Sequence, residues 1–250
     1  MRDGAGRIGA HGGAAGLRGR HRDPVRRSPI PVRHRPPGPQ ALSPTPTVLT
    51  GPLAPHGRES RLARWVLRLC GWRVEAPGVP APQGVILVYP HTSNWDFVVG
   101  LLAKWAMGLQ LRFWAKDSLF AVPVLGRWVR YLGGVAVDRS SPHGMVGDTV
   151  RQMQAAAARG DSFWLAVAPE GTRSLTTGWR TGAYQVAVQA GVPVGLCYFD
   201  FRERVVSLTR FVQLTGDLEA DFAAFAAYLG PRVGKRPTLA SPIQPRRPAP

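Results

Sequence analysis

The chain has 250 residues, with 32 Lys and Arg against 15 Asp and Glu, a formal net charge of +17 and a sequence pI near 11.4. That length fits one domain with extensions, and two cysteines exclude both a disulfide framework and a cysteine-rich zinc module. The longest apolar run, Phe97 to Leu111, is interrupted by Lys104 and too short to cross a bilayer, so any encounter with a membrane is expected at its surface.

The charge is unevenly spread. Residues 1–57 hold nine Arg against Asp3 and Asp23, together with ten Gly and ten Pro, and carry no apolar periodicity. Such a stretch cannot bury enough apolar surface to offset the entropy of ordering, so it is expected to be a disordered basic extension. It also lacks the apolar core of a secretory signal. Residues 58–232 are expected to form the folded domain and residues 233–250 a second disordered tail. Cys70 and Cys197 sit in apolar contexts and read as small buried side chains.

In chain order, residues 60–71 predict an amphipathic helix with Arg61, Arg64 and Arg68 on one face and Leu62, Trp65, Val66 and Leu69 on another. This pattern suits a membrane interface or an ordinary packed surface helix. Val85 to Tyr89 is an uninterrupted β-branched, aliphatic and aromatic run, the signature of a strand buried on both faces. Pro90 ends it, and Thr92, Ser93 and Asn94 are helix-capping residue types before a long apolar helix. A second strand is predicted over residues 111–115, a proline-interrupted helical stretch over 118–132 and a third strand over 135–137. A helix follows over 143–159 with Val146, Val150, Met153 and Ala157 on one side, stopped by Gly160. Phe163 to Val167 repeats the buried-strand pattern. A helix over 182–190, strands over 192–199 and 204–214, and a closing helix from Leu218 to Leu229 complete the domain.

The alternation of strands and helices predicts an α/β fold, a mostly parallel central sheet flanked by helices. Ligands of such sheets gather in the turns beyond the strand ends. His91, Lys116, Arg139 and the turn Glu170-Gly171-Thr172-Arg173 all occupy such positions. A neutral imidazole in the first turn can take a proton from a hydroxyl, and a carboxylate five residues on, Asp96, can hold the ring in the correct tautomer. A helix-capping turn with an incidental imidazole explains the same residues. In the later turn, Arg173 and main-chain N–H groups suit a phosphate, with Glu170 holding Arg173 or a substrate hydroxyl.

His91-Thr92-Ser93-Asn94-Trp95-Asp96, Gly133 to Arg139, Ala168 to Ser174 and Val192-Pro193-Val194 resemble, in order and approximate spacing, the four sequence blocks of the PlsC-like glycerolipid acyltransferases, the 1-acylglycerol-3-phosphate acyltransferase family. The resemblance spans roughly residues 60 to 230. It implies transfer of a fatty acyl group from acyl-CoA or acyl carrier protein to the hydroxyl of a lysophospholipid, with a glycerol-3-phosphate acyltransferase-like fold. It implies His91 as general base, Asp96 as its orienting partner, and Lys116, Arg139, Glu170, Gly171, Thr172 and Arg173 as acceptor-binding residues. It implies no metal, no other cofactor and no acyl-enzyme, and a peripheral position on the cytoplasmic side of a membrane.

Pro90, Ala136 and Ala168 depart from residues common in that family, so lysophosphatidic acid and another acceptor, such as a lyso-ornithine lipid, both remain open. Two readings of another class stand beside the enzyme. One is a catalytically silent lipid-binding protein; the other is a nucleic-acid-binding protein suggested by the arginine-rich extension, although the body carries no nucleic-acid motif and no specific nucleic-acid partner is expected.

Overall fold

Period-two alternation organises the centre of the molecule. In the strand β3, Gln83–Tyr89, the side chains of Val85, Leu87 and Tyr89 enter one core cluster while Ile86 and Val88 face another. Both faces are therefore covered, as the continuous apolar run requires. The computed structural model describes residues 45–50, 57–137 and 142–246.

β3 lies between β6, Phe163–Val167, and β7, Val194–Asp200, and is parallel to both. β4, Leu111–Lys116, continues the sheet beyond β6, and β5, Gly134–Val137, beyond β4, again in parallel. β8, Val205–Gln213, runs antiparallel to β7. Two short strands share its outer edge. β1, Thr47–Val48, pairs antiparallel with one end of it, and β2, Arg73–Glu75, parallel with the other. The expected mostly parallel α/β sheet is thus the observed one.

Three helices cover one face. They are α4, Pro142–Ala158, α5, Gly182–Ala190, and α6, Leu218–Leu229, which contribute Met153, Ala187 and Phe225 to the first cluster. On the other face α1, Arg61–Leu69, and α2, Trp95–Ala106, contribute Leu67, Val99 and Ala103 to the second. Each fully buried aliphatic side chain here stabilises the fold by about 1.5–3 kcal/mol. Gly84 stands opposite Trp164 in the β3–β6 register, and a Cβ there would lie 2.2 Å from the indole. The position therefore has to be glycine for the buried Trp164 side chain to lie across the strand.

Several sequence expectations are corrected. The stretch 118–132 is a single 3-10 turn, Asp117–Leu119, followed by α3, Pro123–Tyr131, because Pro123 fits the first helical turn and cannot sit in a helix interior. On α4 the buried stripe runs Val146, Val150, Met153, Ala156, and Ala157 points to solvent. Part of residues 1–57, expected as disordered, supplies β1; the others of that range, apart from residues 45–50 and Gly57, lie outside the described residues. Residues 233–246, expected as a disordered tail, pack across two loops of the domain through hydrogen bonds described below. Cys197 is buried as expected, but Cys70, at the end of α1, is exposed.

On α1 the core-facing stripe is Ala63 and Leu67. Leu62, Trp65 and Leu69 face outward, 69%, 57% and 67% exposed. Ser60 caps the helix, and Arg64 reaches both Glu59 and the Ala106 carbonyl at the end of α2. Lys104, which interrupts the apolar run in the sequence, donates to the Leu132 carbonyl and so ties α2 to the end of α3. Burial holds its ammonium below the usual lysine range. Among the described residues no helix is long and apolar enough to cross a membrane.

Candidate active site

The C-terminal ends of β3, β4 and β6 open on one side of the sheet, and the turns that follow them build the site. After β3 the chain enters α2 through His91-Thr92-Ser93-Asn94. None of the expected capping side chains caps α2 in the usual way, since Asn94 makes no side-chain cap bond. Asp96 reaches back instead: its Oδ2 accepts the main-chain N–H groups of Thr92 at 2.7 Å and Ser93 at 2.8 Å. Ser93 Oγ accepts from the Trp95 N–H. The same Asp96 oxygen lies 3.3 Å from His91 Nδ1, with the carboxylate fully buried and the imidazole 19% exposed. Asp96 is therefore anchored by the turn it orients, which fixes its position before any ligand arrives. His91 Nε2 has no protein partner among the described residues, and His91 lines a cavity of about 1100 Å³.

The turn after β6 meets the first one through Glu170, which is 1% exposed. Its Oε2 accepts the His91 main-chain N–H at 2.6 Å, and its Oε1 accepts the Ser241 N–H at 2.8 Å. Glu170 does not pair with Arg173, as one sequence expectation had it; its two carboxylate oxygens accept backbone donors instead. Burial pushes its carboxyl above the ordinary glutamate range, and the two backbone hydrogen bonds counteract only part of that. Gly171 adopts a left-handed φ of +69°, and its missing Cβ leaves room for the Arg180 side chain, whose Nε would lie 2.9 Å from such an atom.

Thr172 and Arg173 are exposed and line the cavity, as do Arg180 and Arg246. None of these three arginines has an ion-pair partner among the described residues. Thr181 and Gly182, at the start of α5, line the same region and add the positive end of a helix. The cavity is also lined by apolar side chains, among them Val88, Phe97, Leu101, Phe113, Phe199 and Leu208. Cys197 also lines it, but burial pushes its thiol up to about 12, so it is no ready nucleophile.

The structure thus brings together His91, Asp96, Glu170, Gly171, Thr172 and Arg173. Lys116 closes β4 beside Val137, at the same end of the sheet. Arg139 lies outside the described residues. Arg180, Ser241 and Arg246 were not singled out from the sequence. Arg180 had a usable signal, a cation two residues before the start of α5; the other two sit in a proline-rich segment with none. Among the described residues no group of three or more His, Cys, Asp and Glu side chains is placed to hold a metal ion.

The domain is a three-layered α/β/α fold whose strand-end turns present a paired His and Asp beside guanidinium groups that have no ion-pair partner among the described residues. The Acyltransferase family model matches residues 73–198, about half of the chain, and the chain belongs to that family. Among curated proteins it is similar to the 1-acyl-sn-glycerol-3-phosphate acyltransferase of Escherichia coli (strain K12), 34% identical over 115 residues, 44% of each chain. It is also similar to the chloroplastic 1-acyl-sn-glycerol-3-phosphate acyltransferase BAT2 of Brassica napus, 28% identical over 107 residues, 42% of this chain and 30% of that protein. The matches thus span less than half the length of these relatives. A solved structure, the 1-acyl-sn-glycerophosphate (LPA) acyltransferase PlsC from Thermotoga maritima, is similar at a TM-score of 0.47 and 18% identity, over 67% of this chain and 73% of that one.

Proposed function

We propose that the protein is an O-acyltransferase that moves a fatty acyl group from a thioester, on CoA or acyl carrier protein, to the free hydroxyl of a lysophospholipid, with 1-acylglycerol-3-phosphate as the leading acceptor. The observation that carries this reading is the His91 imidazole, backed at Nδ1 by a buried Asp96, in a cavity lined both by apolar side chains and by three arginines.

Each part of that arrangement has a task. His91 Nε2 takes the acceptor's hydroxyl proton as the oxygen attacks the thioester carbonyl carbon. Asp96 holds the ring and stabilises the imidazolium that forms. When the tetrahedral intermediate collapses, the carbon–sulfur bond breaks and the imidazolium returns its proton to the departing thiolate, giving an ester and a free thiol. The thioester is already activated, so a base, orientation and charge stabilisation suffice. Arg173, Arg180 and Arg246 are suited to the acceptor's phosphate, and the apolar side chains of the cavity to the acyl chain. Lys116 and Arg139 are further acceptor-binding candidates, and no metal or redox cofactor enters the scheme.

The protein is further proposed to act as a peripheral membrane enzyme on the cytoplasmic side, where its thioester donors are found. Support comes from the outward-facing Leu62, Trp65 and Leu69 of α1, flanked by Arg61 and Arg68. Purified protein supplied with labelled acyl-CoA or acyl carrier protein and a panel of lysolipids tests the reading. Ester formation on lysophosphatidic acid is expected; transfer to a lyso-ornithine lipid alone would move the assignment to that acceptor, and no transfer to any lysolipid would refute it.

A further inference from the structure

The segment from Gly234 to Arg246 touches both catalytic turns at once. Gly234 lies against Thr92 and Pro90, and the Arg236 N–H donates to Thr92 Oγ1 at 3.2 Å. The Lys235 ammonium sits 4.7 Å above the Trp95 ring. Further along, the Ser241 N–H donates to Glu170, and Ser241 Oγ accepts from the Thr176 N–H at 3.1 Å. Trp179 and Gln244, then Arg246 and Trp179, exchange main-chain hydrogen bonds of 2.8 Å. The segment makes no regular helix beyond the 3-10 turn Pro237–Leu239, so its polar groups are satisfied largely by the loops it crosses.

We propose that this segment is a strap belonging to the active centre, and that Ser241 and Glu170 are positioning residues: the Glu170 carboxylate, gripped on one side by the strap, holds the main chain of His91 on the other. The inference rests on the acyltransferase reading for its kinetic consequence, but its geometry stands without it. Glu170 is the only side chain that bridges the first turn, the second turn and the strap among the described residues. Its grip on two N–H donors needs the ionised form, since a protonated carboxyl places a hydrogen on one of the two acceptor oxygens. The titratable groups facing it are His91 and Asp96 from the first turn and Tyr89 from β3. Burial already draws the carboxyl toward its neutral form, and the Ser241 N–H opposes this.

The test is Ser241→Pro, which deletes that donor, read by the amide proton of His91 in NMR and by the pH dependence of kcat with acyl-CoA and lysophosphatidic acid. In the wild type the His91 amide, bonded to a carboxylate, resonates far downfield and titrates with Glu170. In S241P the midpoint moves up by about one pH unit, the size expected for losing one charge-assisted hydrogen bond, and the acid limb of kcat moves with it. S241A, which keeps the main-chain N–H, keeps the wild-type limb. E170Q abolishes the titration, and adding S241P to E170Q shifts nothing further. A folded S241P with the wild-type amide titration and acid limb overturns the proposal. If S241P fails to fold, E170Q decides: an unchanged His91 amide titration overturns it. A wild type that shows the amide titration but transfers no acyl group refutes the enzyme and leaves the strap standing.

Discussion

His91 Nδ1 and Asp96 Oδ2 stand 3.3 Å apart, and the same Asp96 oxygen accepts the N–H groups of Thr92 and Ser93. One carboxylate thus shapes the turn and orients the ring, so its loss removes both functions. Asp96→Asn is expected to lower kcat by roughly 10²–10⁴-fold with the acceptor KM near the wild-type value. His91→Ala should abolish transfer with an unchanged melting midpoint, because the imidazole is a partly exposed wall of the cavity rather than core. A kcat for D96N within threefold of wild type would remove Asp96 from the mechanism.

The three cavity-lining guanidinium groups, without ion-pair partners among the described residues, predict a division of labour between KM values. Arg173→Ala and Arg180→Ala should each raise the KM for a phosphate-bearing acceptor by about 10- to 100-fold, corresponding to charge-assisted hydrogen bonds of about 1.5–3 kcal/mol. The KM for the acyl donor should stay near its starting value. Increases confined to the donor would mean that these cations hold the phosphates of CoA.

Leu101, on α2, lines the cavity. Leu101→Trp should shorten that cavity and reduce kcat/KM for a 16-carbon donor by roughly 10- to 100-fold relative to an eight-carbon donor, since each displaced methylene forfeits about 0.8 kcal/mol. A series of acyl-CoA donors of increasing length reads this directly. Equal losses at every length would place the acyl chain elsewhere.

The outward face of α1 predicts interfacial binding. Replacing Trp65 and Leu69 by Ser should weaken sedimentation with vesicles containing anionic lipid by at least tenfold, and should leave the melting midpoint unchanged because neither side chain is buried. Undiminished vesicle binding would assign the membrane contact to another surface.

The sequence disclosed those parts whose pattern is self-contained. β3 and β6 are buried on both faces, so they read as unbroken apolar runs, and the His-x4-Asp spacing closes within one turn. β1 and β2 escaped notice because two or three residues carry no pattern of their own and take their conformation from the β8 edge. The strap escaped for a related reason: its proline-rich composition is that of an unordered segment, and its hydrogen bonds go to loops some 65 to 144 residues earlier in the chain. The backbone partners of Glu170 were not legible, because a carboxylate near an arginine in sequence suggests an ion pair, whereas the fold turns it inward to main-chain donors.

Because β1 and β2 pair with the two ends of β8, that rim of the sheet leaves only its short middle for a foreign strand to join. The opposite rim, β5, is only four residues long, too brief to template an extended neighbour. The sheet is thereby guarded at both borders against adding itself to another copy, which favours solubility in a chain that also exposes aromatic side chains on α1 and α2.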